Sequence, residues 1–255
     1  MCINSNVTIN KNTSYYGGAI FNGVDVQTTL DNAYLGNIKI AGATISSNTA
    51  YFGGAVFNSG YYIDKGEDTY VLNTKFIVES GSFTNNTAKH NTTYYIGGEG
   101  GVVYNEGELT INGGSFTGNT CEEFGGVIYN YSGREKTDSF NDAKCFGVVL
   151  ITGGTFGGTQ TGEGNTAEYM GGAVYNGSQF SKSAALTISG GSFVGNAAAP
   201  NGEGSGGAIA NDENATMLIS GGTISDNTAM GGAGIVNLAD LTITGGTITN
   251  NTASL

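Results

Sequence analysis

The stretch Gly17-Gly18-Ala19-Ile20-Phe21-Asn22 decides the fold, because copies of it recur along the whole chain. The copies begin at residues 17, 53, 100, 125, 171, 206 and 231, and each ends on asparagine; the last is one residue longer. Successive starts are 36, 47, 25, 46, 35 and 25 residues apart. Recurring units of this length are typical of solenoids and propellers. We take the short step as the basic unit and interpret the longer steps as units with insertions.

A second phrase lies between the copies, and its clearest form runs from Leu109-Thr110-Ile111 through Gly113-Gly114-Ser115-Phe116 to Asn119. Similar stretches contain Leu186 to Asn196, Leu218 to Asn227 and Leu241 to Asn251, and partial ones contain Ile45 with Asn48, Phe83 with Asn86, and Val7 to Asn12. The copy at Phe156 differs from this pattern, because Thr159 stands where asparagine is expected and Asn165 comes only after an insertion.

Each unit has the pattern of short strands joined by bends. The Leu-x-Ile alternation predicts a strand with one buried face, glycine pairs allow the chain to bend, and asparagine favours the turns. Strands this short cannot bury their apolar face alone, so units must stack at about 4.8 Å. The sequence therefore predicts an all-β, right-handed parallel β-helix of about seven coils. We expect one domain over residues 1–255, either a segment of a longer passenger or a unit that stacks end to end. A propeller is the alternative, but its blades need about 40–50 residues.

Stacking predicts two ladders of asparagine side chains, whose amides hydrogen-bond from coil to coil. The first ladder contains Asn22, Asn58, Asn105, Asn130, Asn176, Asn211 and Asn237. The second contains Asn48, Asn86, Asn119, Asn196, Asn227 and Asn251. The insertions, expected as surface loops that carry binding, are residues 61–75, 89–95, 134–144, 159–164 and 198–205.

Composition narrows the possible partners and compartments. The formal charge of −12 disfavours nucleic acid and anionic membrane surfaces. No apolar run of about 18 residues occurs, so we expect no membrane-spanning helix, and the N-terminus does not resemble a signal peptide. The three cysteines Cys2, Cys121 and Cys145 are not a disulfide framework, although Cys121 and Cys145 are candidates for a pair.

The two phrases resemble the repeats of chlamydial polymorphic outer-membrane proteins, which alternate Gly-Gly-Ala-(Ile/Leu/Val) with Phe-x-x-Asn. The first motif matches at residues 17–20, 53–56, 171–174 and 207–209, and the second at Phe83, Phe116 and Phe193 with their asparagines. Similar repeats occur in secreted bacterial and archaeal β-helix surface proteins. The resemblance covers the whole chain and implies a surface-exposed adhesin or autotransporter-type passenger; the family's translocator barrel, signal peptide and cysteine-rich middle are missing.

We find no pattern for catalysis, so we predict no enzyme, no cofactor and no metal site. The acidic candidates Glu122-Glu123, Glu106 with Glu108, and Asp212-Glu213 lie at turns, and we interpret them as solubilising surface charge, with a weak calcium site as the residual alternative. His90 is the only histidine and falls in a polar insertion, so we expect a surface loop residue. A polysaccharide lyase or hydrolase of β-helix type is an alternative, as is a self-assembling filament.

One aromatic position recurs and is the candidate binding site: Phe21, Phe57, Tyr104, Tyr129 and Tyr175. If their β-branched neighbours point inward, these rings form an exposed stripe that suits a sugar ring or a protein partner. The alternative puts the aromatics inside; we favour the outward orientation because tyrosine prefers a wet hydroxyl. The function we predict is a non-enzymatic extracellular adhesin or surface scaffold. Its partners would be glycans or proteins of a host or neighbouring cell, with end-to-end self-association as a further possibility.

Overall fold

The computed structural model describes residues 1–25, 34–65, 68–133, 143–144, 146–178, 184–200 and 202–253. All regular structure in these residues is strand, turn or bend, and most of it belongs to three long parallel sheets. Each turn of the chain adds one rung to every sheet, which confirms the predicted parallel β-helix. The right-handed sense of the coil stays a prediction from the sequence. No helix in the described part of the chain has the length and apolarity needed to cross a bilayer.

Sheet A is built from the second phrase and has 14 strands. In two rungs the halves on either side of the bend form one ten-residue strand, and in later rungs the glycine pair separates them. Its strands are Cys2–Asn4, Thr8–Asn10, Asn37–Ser46, Lys75–Thr84, Glu108–Ile111, Ser115–Thr117, Val148–Ile151, Thr155–Gly157, Ala184–Ile188, Ser192–Val194, Ala215–Ile219, Thr223–Ser225, Asp240–Ile243 and Thr247–Thr249.

Sheets B and C have seven strands each. Sheet B is built from the opening phrase: Ile20–Asn22, Val56–Asn58, Val103–Asn105, Ile128–Ser132, Val174–Ser178, Ile209–Asn211 and Ile235–Asn237. Sheet C consists of two-residue strands after the second asparagine: Thr49–Ala50, Thr87–Ala88, Thr120–Cys121, Thr166–Ala167, Ala197–Ala198, Thr228–Ala229 and Thr252–Ala253. Seven rungs in both sheets agree with the predicted number of coils.

Like residues lie over one another in the interior. The rings of Phe83, Phe116, Phe156 and Phe193 stack with centroids 4.6–4.8 Å apart and planes within 12° of parallel. Aliphatic columns from sheets A and B complete one continuous core along the chain. The register is strict because a one-residue slip would turn every apolar side chain to the opposite face.

Both asparagine ladders exist, and all their members except three at the ends are buried. In the first, each Nδ2 donates to the next Oδ1 over 2.7–2.8 Å. The second is longer than predicted, because Asn12 begins it and Asn165 joins Asn119 to Asn196. The insertion around Thr159 therefore loops out, and the ladder continues across it without a break. From Asn48 onward, each amide of the second ladder also donates to a carbonyl of the previous rung, such as Asn119 to Phe83.

The two glycines of each opening phrase have different roles. The first has positive φ, from 54° to 71°, and a side chain there would meet the carbonyl three residues on. The second lies close to the next rung; a Cβ on Gly126 would lie 2.1 Å from the oxygen of Gly172. This geometry corrects the last copy. Gly232, with φ of 54°, takes the first place and Gly231 bridges Ser205, so the phrase has six residues like the others.

Three insertions form antiparallel hairpins on the outside of the solenoid. The strand pairs are Val24–Asp25 with Tyr34–Leu35, Gly60–Lys65 with Asp68–Asn73, and His90–Asn91 with Ile96–Gly97. Ala143–Lys144 adds a third strand to the second hairpin. Cys145 and most of the insertion at residues 134–144 lie outside the described residues, so pairing of Cys121 with Cys145 stays a prediction.

Candidate binding surface

The five aromatic side chains selected from the sequence form one column, which we call the aromatic spine: Phe21, Phe57, Tyr104, Tyr129 and Tyr175. Their neighbours, such as Val56 and Val103, face the interior core, so the spine points to the opposite side of sheet B. Successive centroids are 4.9–5.4 Å apart, and three of the four ring pairs lie within 10° of parallel.

The predicted exposure of the spine is wrong for four of its five members. Phe57, Tyr104, Tyr129 and Tyr175 are only 1–7% exposed, whereas Phe21 is 58% exposed. A second column covers them, which we call the cover column: Tyr16, Phe52, Phe124 and Met170. Because the first glycine of each pair reverses the chain, the residue before the pair folds over the ring that follows in the next rung. The centroids of Tyr16 and Phe57 are 5.0 Å apart, as are those of Phe124 and Tyr175.

Burial raises the pKa of the Tyr129 hydroxyl well above its ordinary value, and the nearby tyrosines and Glu99 raise it further. Burial also raises the pKa of Tyr175, and its hydroxyl donates a hydrogen bond of 2.5 Å to Asp212. Phe57, Tyr104, Tyr129 and Tyr175 therefore form a second core beneath the cover column, whereas the ring of Phe21 stays exposed.

Exposed tyrosines lie two residues before the glycine pairs, on the turn that leads from sheet C to sheet B. Tyr15, Tyr51 and Tyr169 occupy this position, and Tyr15 and Tyr169 are 41% and 51% exposed. Tyr94 and Tyr95, on the adjoining hairpin at residues 89–98, are 71% and 81% exposed. We call these five residues the tyrosine edge. Sequence reasoning missed it, although the aromatic doublets Tyr15-Tyr16 and Tyr51-Phe52 before glycine pairs were a visible signal.

The hairpin that carries Tyr94 and Tyr95 is held in a defined conformation. Oδ1 of Asn91 accepts hydrogen bonds from the N–H groups of Thr93 and Tyr94 at 3.0 and 3.1 Å. The N–H of Tyr95, which has a φ of 53°, donates to the carbonyl of Asn91. These bonds close a tight turn, so both rings are presented from a fixed tip.

One basic side chain, His90, and two acidic side chains, Glu99 and Glu123, lie at the base of this hairpin. Nδ1 of His90 lies 2.7 Å from Oε1 of Glu123, so His90 is half-buried and paired, which the sequence did not predict. Burial and the charge of Glu123 raise the pKa of Glu99 to about 8. Burial raises the pKa of Glu123 as well, against the effect of His90. The interpretation as surface charge is therefore wrong for Glu123, and also for Glu106, which is 1% exposed.

The described residues contain no group of three or more His, Cys, Asp or Glu side chains placed to hold a metal ion. The clefts on the surface include one of about 580 Å³, formed by the insertion at residues 158–164 with Thr166, Gly195 and Asp226. Another, of about 490 Å³, lies against the last rung and contains Ile243 and Ile248. Neither of these two clefts brings together paired carboxylates.

Comparison with known families gives one match. Residues 113–131 match the family described as Chlamydia polymorphic membrane protein (Chlamydia_PMP) repeat. The matched segment contains Phe116 with Asn119 and the phrase that starts at Gly125, so the resemblance noted from the sequence is confirmed for this repeat type. Comparisons with curated proteins and with solved structures give no match.

Proposed function

We propose that this chain is a non-enzymatic part of an extracellular surface protein, an adhesin or scaffold, and that its tyrosine edge binds a glycan or protein of a host or neighbouring cell. The observation that carries the proposal is the set of tyrosine rings on adjoining turns of the solenoid and on the hairpin beside them. Four of the five are at least 41% exposed, although a second aromatic layer beside them is buried.

The tyrosine edge has the properties of a binding surface. A tyrosine ring offers a large apolar face and a polar hydroxyl at low cost in side-chain entropy, which favours contact with sugars and with proteins. The rings of Tyr15 and Tyr51 are in contact, with centroids 5.3 Å apart, so they form part of one surface. Because every rung is hydrogen-bonded to the next, this surface is ordered before a partner arrives, which lowers the cost of binding.

The matched repeat supports a location at the cell surface, since the family is described as a polymorphic membrane protein of Chlamydia. Asparagine ladders and stacked rings stiffen a solenoid that displays hairpins on its outside, which suits a scaffold for adhesion. The export and attachment of the chain are not part of the proposal.

A polysaccharide hydrolase is the alternative in another class. It would need two carboxylates that a substrate can reach, and the two that interact beside the hairpin are Glu99 and Glu123. Oε2 of Glu99 is buried, however, so a sugar cannot approach it. Turnover of acidic and neutral polysaccharides by the intact protein, abolished in E123Q, would contradict the non-enzymatic proposal.

The binding test compares two double variants on a glycan array and on cultured cells. Y94S/Y95S removes the two most exposed rings of the edge, and the matched control L150S/L218S removes two side chains of 37% and 38% exposure from the outer face of sheet A. We expect at least a ten-fold loss of binding in the first variant only. Equal binding by both variants would exclude the hairpin tip from the binding surface. Variants of Tyr104, Tyr129 or Tyr175 would disturb folding and cannot serve here.

A further inference from the structure

We propose that Glu99, Glu123 and His90 form a proton-controlled latch that holds the hairpin at residues 89–98 against the solenoid. The latch is closed when Glu99 is protonated and loosens as this carboxyl ionises. The inference does not depend on what the tyrosine edge binds, and its test measures the hairpin itself.

Glu99 occupies a position in the cover column. It bridges Phe52 in the rung before, and the N–H of Gly100 donates to the carbonyl of Phe124 in the rung after. Glu99 is thus the carboxyl member of the column that otherwise contains Tyr16, Phe52, Phe124 and Met170. Its Oε2 is buried and has no hydrogen-bond partner among the described residues. A charged carboxylate in such a place is poorly solvated, whereas a neutral acid is tolerated.

The same residues tie the hairpin to the rungs on both sides. The N–H of Gly98 donates to the carbonyl of Tyr51, and the N–H of Glu123 donates to the carbonyl of Gly98. On the other strand, the N–H of His90 donates to Oε2 of Glu122 at 2.7 Å. His90 then contacts Glu123 through Nδ1. Ionisation of Glu99 therefore places a charge at the point where the hairpin leaves the solenoid.

Several titratable groups face Glu99 from the packed elements. Glu123 raises the pKa of Glu99 by repulsion, after the larger effect of burial. The charge of Glu99 in turn raises the pKa of Tyr129 and of the buried thiol of Cys121, both of which stay neutral. His90 contacts Glu123 and lowers the pKa of that carboxyl.

The direction of the pH effect follows from proton linkage. The pKa of Glu99 is raised from 4.5 to about 8 in the folded state, so the closed hairpin holds a proton that an open, solvated carboxyl releases. The stabilising effect is complete below about pH 4.5 and is lost as pH rises toward 8. The equilibrium constant for opening should increase by roughly ten-fold per pH unit in this window. Opening would displace Tyr94 and Tyr95, so the latch would also regulate how the tip of the edge is presented.

Hydrogen exchange of the backbone amides at residues 90–100 tests the latch in the intact protein. After correction for intrinsic rates, we expect about a 100-fold increase in opening between pH 5.5 and 7.5. E99Q, which mimics the protonated acid, should abolish this dependence, and the matched control E168Q, at an exposed glutamate, should retain it. E99F, which restores the aromatic column, serves as a second variant should E99Q fold poorly. Wild-type opening that does not change with pH, or an unchanged dependence in both E99Q and E99F, would overturn the proposal.

Discussion

Replacement of Asn119 by alanine should be strongly destabilising, because this side chain stands in the middle of the second ladder. Its Oδ1 accepts from the backbone N–H and Nδ2 of Asn86, both at 3.0 Å. Its Nδ2 donates to the carbonyl of Phe83 at 2.9 Å and to Oδ1 of Asn165 at 3.0 Å. N119A leaves the backbone N–H of Asn86 and one N–H of its side-chain amide without their acceptor, although Nδ2 still donates to the carbonyl of Ile45, and it removes the side-chain donor from the carbonyl of Phe83.

Each buried polar group that loses its partner costs about 1–3 kcal/mol, so the loss of three such contacts should lower the free energy of unfolding by at least about 3 kcal/mol. Equilibrium unfolding in urea, followed by circular dichroism, measures this loss. The matched control is N112A, because the side chain of Asn112 is exposed; it donates to Glu79 at 3.3 Å and accepts from Oγ1 of Thr152 at 2.8 Å, where water can replace it. N112A should change stability by less than about 0.5 kcal/mol. Similar losses for N119A and N112A would refute the claim that the ladder stabilises the fold.

Two further substitutions test the backbone of the rungs. G126A should lower the free energy of unfolding by more than about 3 kcal/mol, because the new Cβ would lie 2.1 Å from the oxygen of Gly172 and force two rungs apart. The control is G202A, since no atom lies within 4 Å of a Cβ at that position. It should leave the free energy of unfolding nearly unchanged in the same urea assay. S47G should raise the free energy of unfolding by up to about 1 kcal/mol, and with it the urea midpoint, because Ser47 has a φ of 55° that glycine adopts without strain. A lower midpoint for S47G would show that Ser47 is not strained.

The fold could be read from the sequence because stacking in register repeats the same residue types at the same places. Asn58 over Asn22 and Phe116 over Phe83 are visible as repeats once the phrases are aligned. Insertions hide this register locally. Asn165 was set aside from its ladder because several residues separate it from Phe156, yet the chain between them loops out and the amide returns to its place.

The binding surface was harder to predict, since it depends on how turns fold back over strands. The outward direction of Tyr129 follows from alternation along its strand, but its burial depends on Phe124, which a glycine with positive φ brings into contact. The alternation of side chains along a strand does not predict a second layer of side chains packed over its outer face. The pairing of His90 with Glu123 depends on two coils that lie side by side, and neither residue has a partner nearby in the sequence.

The register of the rungs is the claim on which the ladders, the aromatic layers and the latch all depend, and a disulfide cross-link measures it directly. Thr187 lies opposite Leu218 in sheet A, whereas Thr216 is opposite Ala185. Neighbouring positions in adjacent rungs are close enough for a disulfide, and positions displaced by two residues are not. We expect oxidation of T187C/L218C to give a cross-linked peptide in mass spectrometry, and T187C/T216C to give none. A cross-link in the second variant and none in the first would contradict the stacking described here.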